Sequence, residues 1–116
     1  MGALRRLVEE RFDPEVVVKP AGALPESEEV HGHDGALRFL AIQMEAFETM
    51  WLQPHEFIDA GDMVVMPVQA CGRARHTGIG VEFERVHVSS YRGGRVVRLE
   101  IYVSKREAFE AVGLRE

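Results

Sequence analysis

Cysteine is nearly missing from the 116-residue chain. Cys71 stands alone, which excludes an internal disulfide and any zinc site built from several thiolates. Such usage fits a reducing compartment, so a cytoplasmic address is expected. Long apolar runs are missing too: none approaches the ~20 residues of a membrane-spanning helix. The start, Met1 to Glu10, is charged and amphipathic, without the apolar centre of a signal peptide. Excess positive charge is absent as well. Lys and Arg number 14 against 19 Asp and Glu, for a net charge of −5, which argues against a general nucleic-acid binder. Gly78 and Gly80 lack the following Gly-Lys-Ser/Thr and the helix start of a phosphate-cradling loop. No internal repeat, low-complexity tract or second domain is visible.

What is present is the mixture of a soluble globular domain, 46% hydrophobic and 28% charged. A chain of this length buries a core without staples, at a burial fraction between the ~60% and ~70% of somewhat shorter and longer domains. Charge is unevenly spread. Acids dominate up to Asp62, densest at Glu26, Glu28 and Glu29, and the balance then turns basic through Arg73, Arg75, Arg85, Arg92, Arg95 and Arg98. Arginines and glutamates alternating on solvated strand faces explain most of this, although a one-faced basic strip would attract an anionic ligand.

Periodicity orders the elements. Leu4, Leu7 and Val8 form the stripe of a short helix to about Phe12, ended by Asp13-Pro14. Glu15 to Lys19 reads as extended, and residues 20–35 as loop. A helix is predicted over Gly35 to about Thr49. Its two apolar stripes (Leu37, Leu40, Met44, Phe47 and Phe39, Ile42, Ala46) require burial on two sides, or a cavity on one. Strands follow at Met50–Ile58, Met63–Cys71, Val81–Tyr91 and Val96–Val103, with a tight hairpin at Arg92-Gly93-Gly94-Arg95. Ser104 with Glu107 forms a capping box for a last helix to about Val112, and Gly113 stops it. Helices first and strands later imply an α+β domain, helices on one face of an antiparallel sheet.

Gly32-His33-Asp34-Gly35 with Leu37-Arg38-Phe39, then Glu56 to Asp62, Gly94 to Tyr102 and Ala108 to Leu114, resemble the SnoaL-like polyketide cyclase family within the nuclear-transport-factor-2-like and ketosteroid isomerase superfamily. The resemblance spans about residues 12–114 of a single domain covering 1–116. It implies a cone-shaped, strongly curved antiparallel sheet wrapped around helices (a cystatin-like α+β roll). The cone would hold an apolar small-molecule pocket at its open end, and the chain would form a homodimer through the outer sheet face. Leu4 to Phe12 correspond to the family's second helix, so its first is short or absent.

The resemblance directs His87 and Ile101 towards the cavity, whereas Val86 and Val88 form an equally plausible buried row by pattern alone. His87 aligns with a histidine near the cyclases' substrate. The family's acidic base falls on Ile101, which cannot take a proton, and the acid of limonene epoxide hydrolase-like members falls there too. The ketosteroid isomerase base would fall near Lys19. What remains for chemistry is His87 with Arg85, in a pocket of Tyr91, Phe83, Ile101, Leu99, Phe47, Met44 and Leu40. An adjacent arginine disfavours the imidazolium, so His87 is expected neutral, able to act as acid or base near pH 7. Arg85 offers a forked donor to a carboxylate or enolate; the blander alternative pairs it with Glu84 or Glu100.

Three functions stay open. One is a binder of a small hydrophobic metabolite, for which an anionic group would suit Arg85. Another is an isomerase, cyclase or hydrolase using His87 and Arg85, and the third a non-catalytic dimerisation module with a filled cavity. No cofactor or metal is expected: His31, His33 and Asp34 fall short of a three-ligand site, and Asp34 suits a helix start. His55 and His76 read as surface residues, Cys71 as a buried or half-buried thiol, and Trp51 as a dimer contact or partly buried anchor. Met44, Met50, Met63 and Met66 read as core fillers.

Overall fold

Asp13-Pro14 separates the first two elements in the computed structural model, which describes residues 2–20 and 28–113. Helix α1 (Gly2–Arg11) passes directly into strand β1 (Phe12–Lys19), where Asp13 Oδ1 accepts the Glu15 amide at 2.9 Å. Pro14 lies in the stretch between Phe12 and Val17 where pairing is interrupted, as a residue without an amide donor requires. Strand β2 (Val30–His31) and helix α2 (Gly32–Ala46) follow, then strands β3 (Phe47–Pro54), β4 (Ile58–Ala60), β5 (Met63–Ala74), β6 (Gly80–Arg92) and β7 (Arg95–Tyr102), and finally helix α3 (Lys105–Val112). Residues 21–27 of the expected loop, with Glu26 of the acid cluster, lie outside the described residues, as do Met1 and Leu114.

The sheet runs β2-β1-β7-β6-β5-β3, with β4 also on β5. It is curved and open, and the α+β class is the expected one. Two features depart from the simple layout. Strand β1 pairs parallel to β7, with Val18 beside Leu99, and the helices lie on both faces. On one face Val16 and Val18 pack with Val8, Ala36 and Leu37 of α1 and α2. On the other, Val65, Val86 and Val88 pack with Ala108 and Phe109 of α3. This second cluster explains why the sequence pattern could not choose a face for β6: Val86 and Val88 are buried on one face, while the row Phe83, Arg85, His87, Ser89 is half-buried on the other.

Helix α2 begins and ends earlier than its periodicity indicates. His31 pairs with Val17 in extended form, so the helix starts at Gly32. At the other end Phe47 turns extended to meet Ala74, and a stretch with helical spacing becomes strand. The expected burial of α2 on two sides holds only for its first half. Ala36 and Leu37 are buried, but Ile42 and Met44 are 44% and 57% exposed; with Met50 at 38%, Met44 and Met50 are not core fillers.

Strands β3 and β4 form one interrupted edge along β5, broken at residues 55–57. Gly72 permits the close approach of β3, because a Cβ there would stand 2.7 Å from the Thr49 carbonyl oxygen. The β6–β7 hairpin turns through Gly93 and Gly94 at φ 61° and 81°, the left-handed pair that a two-residue primed turn demands. The last helix is capped as its sequence indicates. Ser104 Oγ accepts the Glu107 amide at 3.2 Å, and Gly113 takes φ 77°. No described helix is long and apolar enough to cross a membrane.

Candidate functional site

Register alone assigns the inner row of β6. Arg85 lies opposite Val68 and His87 opposite Met66 on β5; His87 and Ser89 lie opposite Ile101 and Leu99 on β7. Since Leu99 neighbours Val18 beneath α2, the row Phe83, Arg85, His87, Ser89 faces the α1/α2 side, and Val86 and Val88 face α3. His87 and Ile101 thus share the α1/α2 side of the sheet.

His87 is part-buried, and burial first, then the Arg85 charge, push its pKa down from 6.5 to about 4. The imidazole is therefore neutral at physiological pH. Arg85 forms neither of the carboxylate pairs considered for it. Its Nη1 donates to the Glu84 backbone carbonyl at 2.7 Å, and its guanidinium lies 4.6 Å from the centre of the Phe83 ring. Phe83 in turn contacts Phe47, ring centres 6.3 Å apart. Glu100 is engaged elsewhere, with Arg98 at 3.4 Å and the Tyr102 hydroxyl at 2.9 Å. Phe47, Phe83, Arg85 and His87 therefore line one inner strip, an aromatic pair running into a cation and a neutral imidazole.

The other expected pocket residues are placed less uniformly. Leu40 and Leu99 pack against the α1/α2 core. Met44 is exposed on the projecting end of α2. Tyr91 falls beyond a register shift after Ser90 and is 45% exposed. The extra residue of the shift is Val97 on β7, and Tyr91 lies opposite Val96 of the α1/α2 core, so it keeps to the His87 face at the exposed end of the strand.

Two open cavities border the free end of the sheet, and neither is lined by His87 or Arg85. One, of about 390 Å³, lies between the end of α2 and the start of β3, against Met44, Phe47, Met50 and Arg75. The other, of about 530 Å³, lies on the outer face against Trp51, Cys71, Arg73 and Glu82. Arg75 is the residue that the sequence reading missed. Its Nη2 donates to the carbonyls of Met44 at 2.8 Å and Phe47 at 3.1 Å, and its amide to Ala46 at 3.1 Å. An arginine just past a strand end, aimed at helix carbonyls distant in sequence, leaves no local signal.

The His31-Gly32-His33-Asp34 segment is dispersed. His33 Nε2 donates to the Phe12 carbonyl at 2.8 Å, His31 lies 3.8 Å from Glu29, and Asp34 pairs with Arg5 at 3.3 Å in the first turn of α2. Among the described residues no group of three or more His, Cys, Asp or Glu is placed to hold a metal ion. Cys71 is buried.

Comparison with known proteins gives the fold a family. No curated protein matches the chain. Solved structures do. An NTF2-like protein of unknown function from Burkholderia pseudomallei K96243 is 23% identical over 94% of this chain and 84% of that one, with a TM-score of 0.76. TerC, co-crystallised with polyporic acid, is 23% identical over 94% and 85%, TM-score 0.76. A protein with a ketosteroid isomerase-like fold from Catenulispora acidiphila, in complex with trimethylamine, is 14% identical over 98% and 85%, TM-score 0.75. At these identities the likeness speaks for the fold. The family model for the SnoaL-like domain, however, matches residues 5–99. That match runs from α1 into β7 and takes in the inner strip, and the chain belongs to the SnoaL-like domain family.

Proposed function

We propose that this SnoaL-like protein binds a small hydrophobic metabolite carrying an anionic group, against the inner strip of β6. The observation that carries the reading is the state of Arg85. Among the described residues no carboxylate lies within 4.0 Å of it, and its guanidinium rests on Phe83 with a single donor engaged by the Glu84 carbonyl. A cation held on an aromatic ring keeps further donors for a planar anion. The aromatic pair Phe47 and Phe83 would take the apolar body of the ligand. A neutral His87 would accept or donate one hydrogen bond without adding charge. Similar folds holding polyporic acid and trimethylamine support a small-molecule role, and Arg85 favours the acid over the amine. The ligand would be a metabolite of the cytoplasm.

An enzymatic version uses the same pair. Arg85 would hold a developing enolate and His87 would move the proton. Ile101 directly opposite His87 supplies no carboxylate base, so catalysis would rest on the imidazole alone. A dimerisation module with a filled interior is the third version, in which no ligand binds the strip.

Titration with polyporic acid, with trimethylamine as the cationic comparison, tests the binding reading. The acid should bind, the amine should not, and Arg85→Ala should weaken the acid by about tenfold or more, as loss of a charge-assisted hydrogen bond does. Absence of acid binding, or affinity indifferent to both Arg85→Ala and His87→Ala, would contradict it.

A further inference from the structure

We infer that the cavity of about 530 Å³ on the outer face is a binding site for a small aromatic zwitterion, of the class of the free aromatic amino acids. The inference is independent of any ligand on the inner strip, which lies on the opposite face of the sheet. The volume falls within the ~300–1,000 Å³ of ligand sites.

Register builds the site in two rows. Trp51, Cys71 and Glu82 stand side by side across β3, β5 and β6, and Thr49, Arg73 and Gly80 form the next row. Helix α3 packs further along the same strands, on Val65, Val86 and Val88. Both rows are left exposed except at Cys71. That residue, 7% exposed, closes the floor between Trp51 and Glu82. Over Gly80 the space is open, since a Cβ there would meet nothing within 4 Å.

The cavity carries two opposite charges that do not neutralise each other. Arg73 stands diagonal to Glu82, a separation that long side chains can bridge. Among the described residues, however, neither forms an ion pair within 4.0 Å. Arg73 Nη1 donates instead to the Gly78 carbonyl at 2.7 Å, and Glu82 Oε2 accepts from Gln69 Nε2 at 3.3 Å. These bonds draw the charges towards opposite ends of the cavity. The guanidinium keeps further donors there and the carboxylate further lone pairs.

These groups select the occupant. A simple anion suits Arg73 but is repelled by Glu82, and a simple cation meets the reverse. A zwitterion satisfies both, its carboxylate on Arg73 and its ammonium on Glu82. Trp51, with its indole 56% exposed, adds a surface on which an aromatic ring stacks.

Trp51 is the sole tryptophan, so its fluorescence in the full chain reports the site directly. Titration with L-phenylalanine should change that emission saturably. Phenylpropionate, which lacks the ammonium, and phenethylamine, which lacks the carboxylate, should each bind about tenfold more weakly or worse, as loss of one charge-assisted hydrogen bond implies. Glu82→Gln should erase the preference over phenylpropionate, and Arg73→Gln the preference over phenethylamine. Gly80 does not take a positive φ, so Gly80→Leu fills the cavity without backbone strain. It should remove the response and leave the circular dichroism spectrum unchanged. A Trp51 emission indifferent to millimolar L-phenylalanine, equal responses to the three compounds, preferences that survive Glu82→Gln and Arg73→Gln, or a response that survives Gly80→Leu would each overturn the inference.

Discussion

His87 ties the inner strip to a pH dependence of known sign. Its folded-state pKa is lowered from 6.5 to about 4, by burial and then by Arg85. Between those values the unfolded chain binds more protons at this residue than the folded one. Stability therefore rises with pH through that window, and the contribution present above pH 6.5 is lost as pH falls towards 4. Its size is at most about 3 kcal/mol. Denaturation midpoints of the wild type should fall through this interval more steeply than those of His87→Gln; parallel curves would mean a water-exposed imidazole. Tyr102 behaves differently. Burial, followed by its hydrogen bond to Glu100, pushes its pKa up to about 12, so it stays a donor at any working pH. Tyr102→Phe removes the 2.9 Å bond and should cost about 1 kcal/mol in chemical denaturation. No loss at all would show that Glu100 is satisfied by Arg98 alone.

Among the elements, the junction of α2 and β3 matters most, because Phe47 passes there from helix to inner strip. Helix ends leave carbonyls without partners, and Arg75 reaches from beyond β5 to those of Met44 and Phe47. Arg75→Ala should lower stability by about 1–2 kcal/mol in thermal or chemical unfolding. An unchanged midpoint would mean that solvent caps this end equally well. Ser104→Ala removes the cap of α3 and should cost about 1 kcal/mol in the same measurement. How legible each element was follows from the range of its causes. The α3 cap and the Gly93-Gly94 turn depend on neighbours in sequence and could be read from it. The change from helix to strand at Phe47 depends on Ala74, which is distant in sequence, and the helical spacing of Leu40, Met44 and Phe47 pointed the wrong way. Tyr91 keeps the face that alternation gives it, opposite Val96, but its exposure depends on where the helices end over the sheet, which its neighbours in sequence do not reveal.

For the molecule as a whole, the α+β roll and the SnoaL-like family were legible because their marks are spread along most of the chain. The orientation of β6 was not legible from pattern, since α1 and α2 cover one face and α3 the other; resemblance to the family supplied it. The cavities were not legible either, because they depend on how far α2 projects and on which edge stays free. Mapping backbone amide shifts by NMR during titration with polyporic acid would locate the ligand. The largest changes are expected along Phe83–Ser89 and Leu99–Ile101. Changes confined to Trp51, Cys71 and Glu82, on the opposite face, would contradict a binding role for Arg85 and His87.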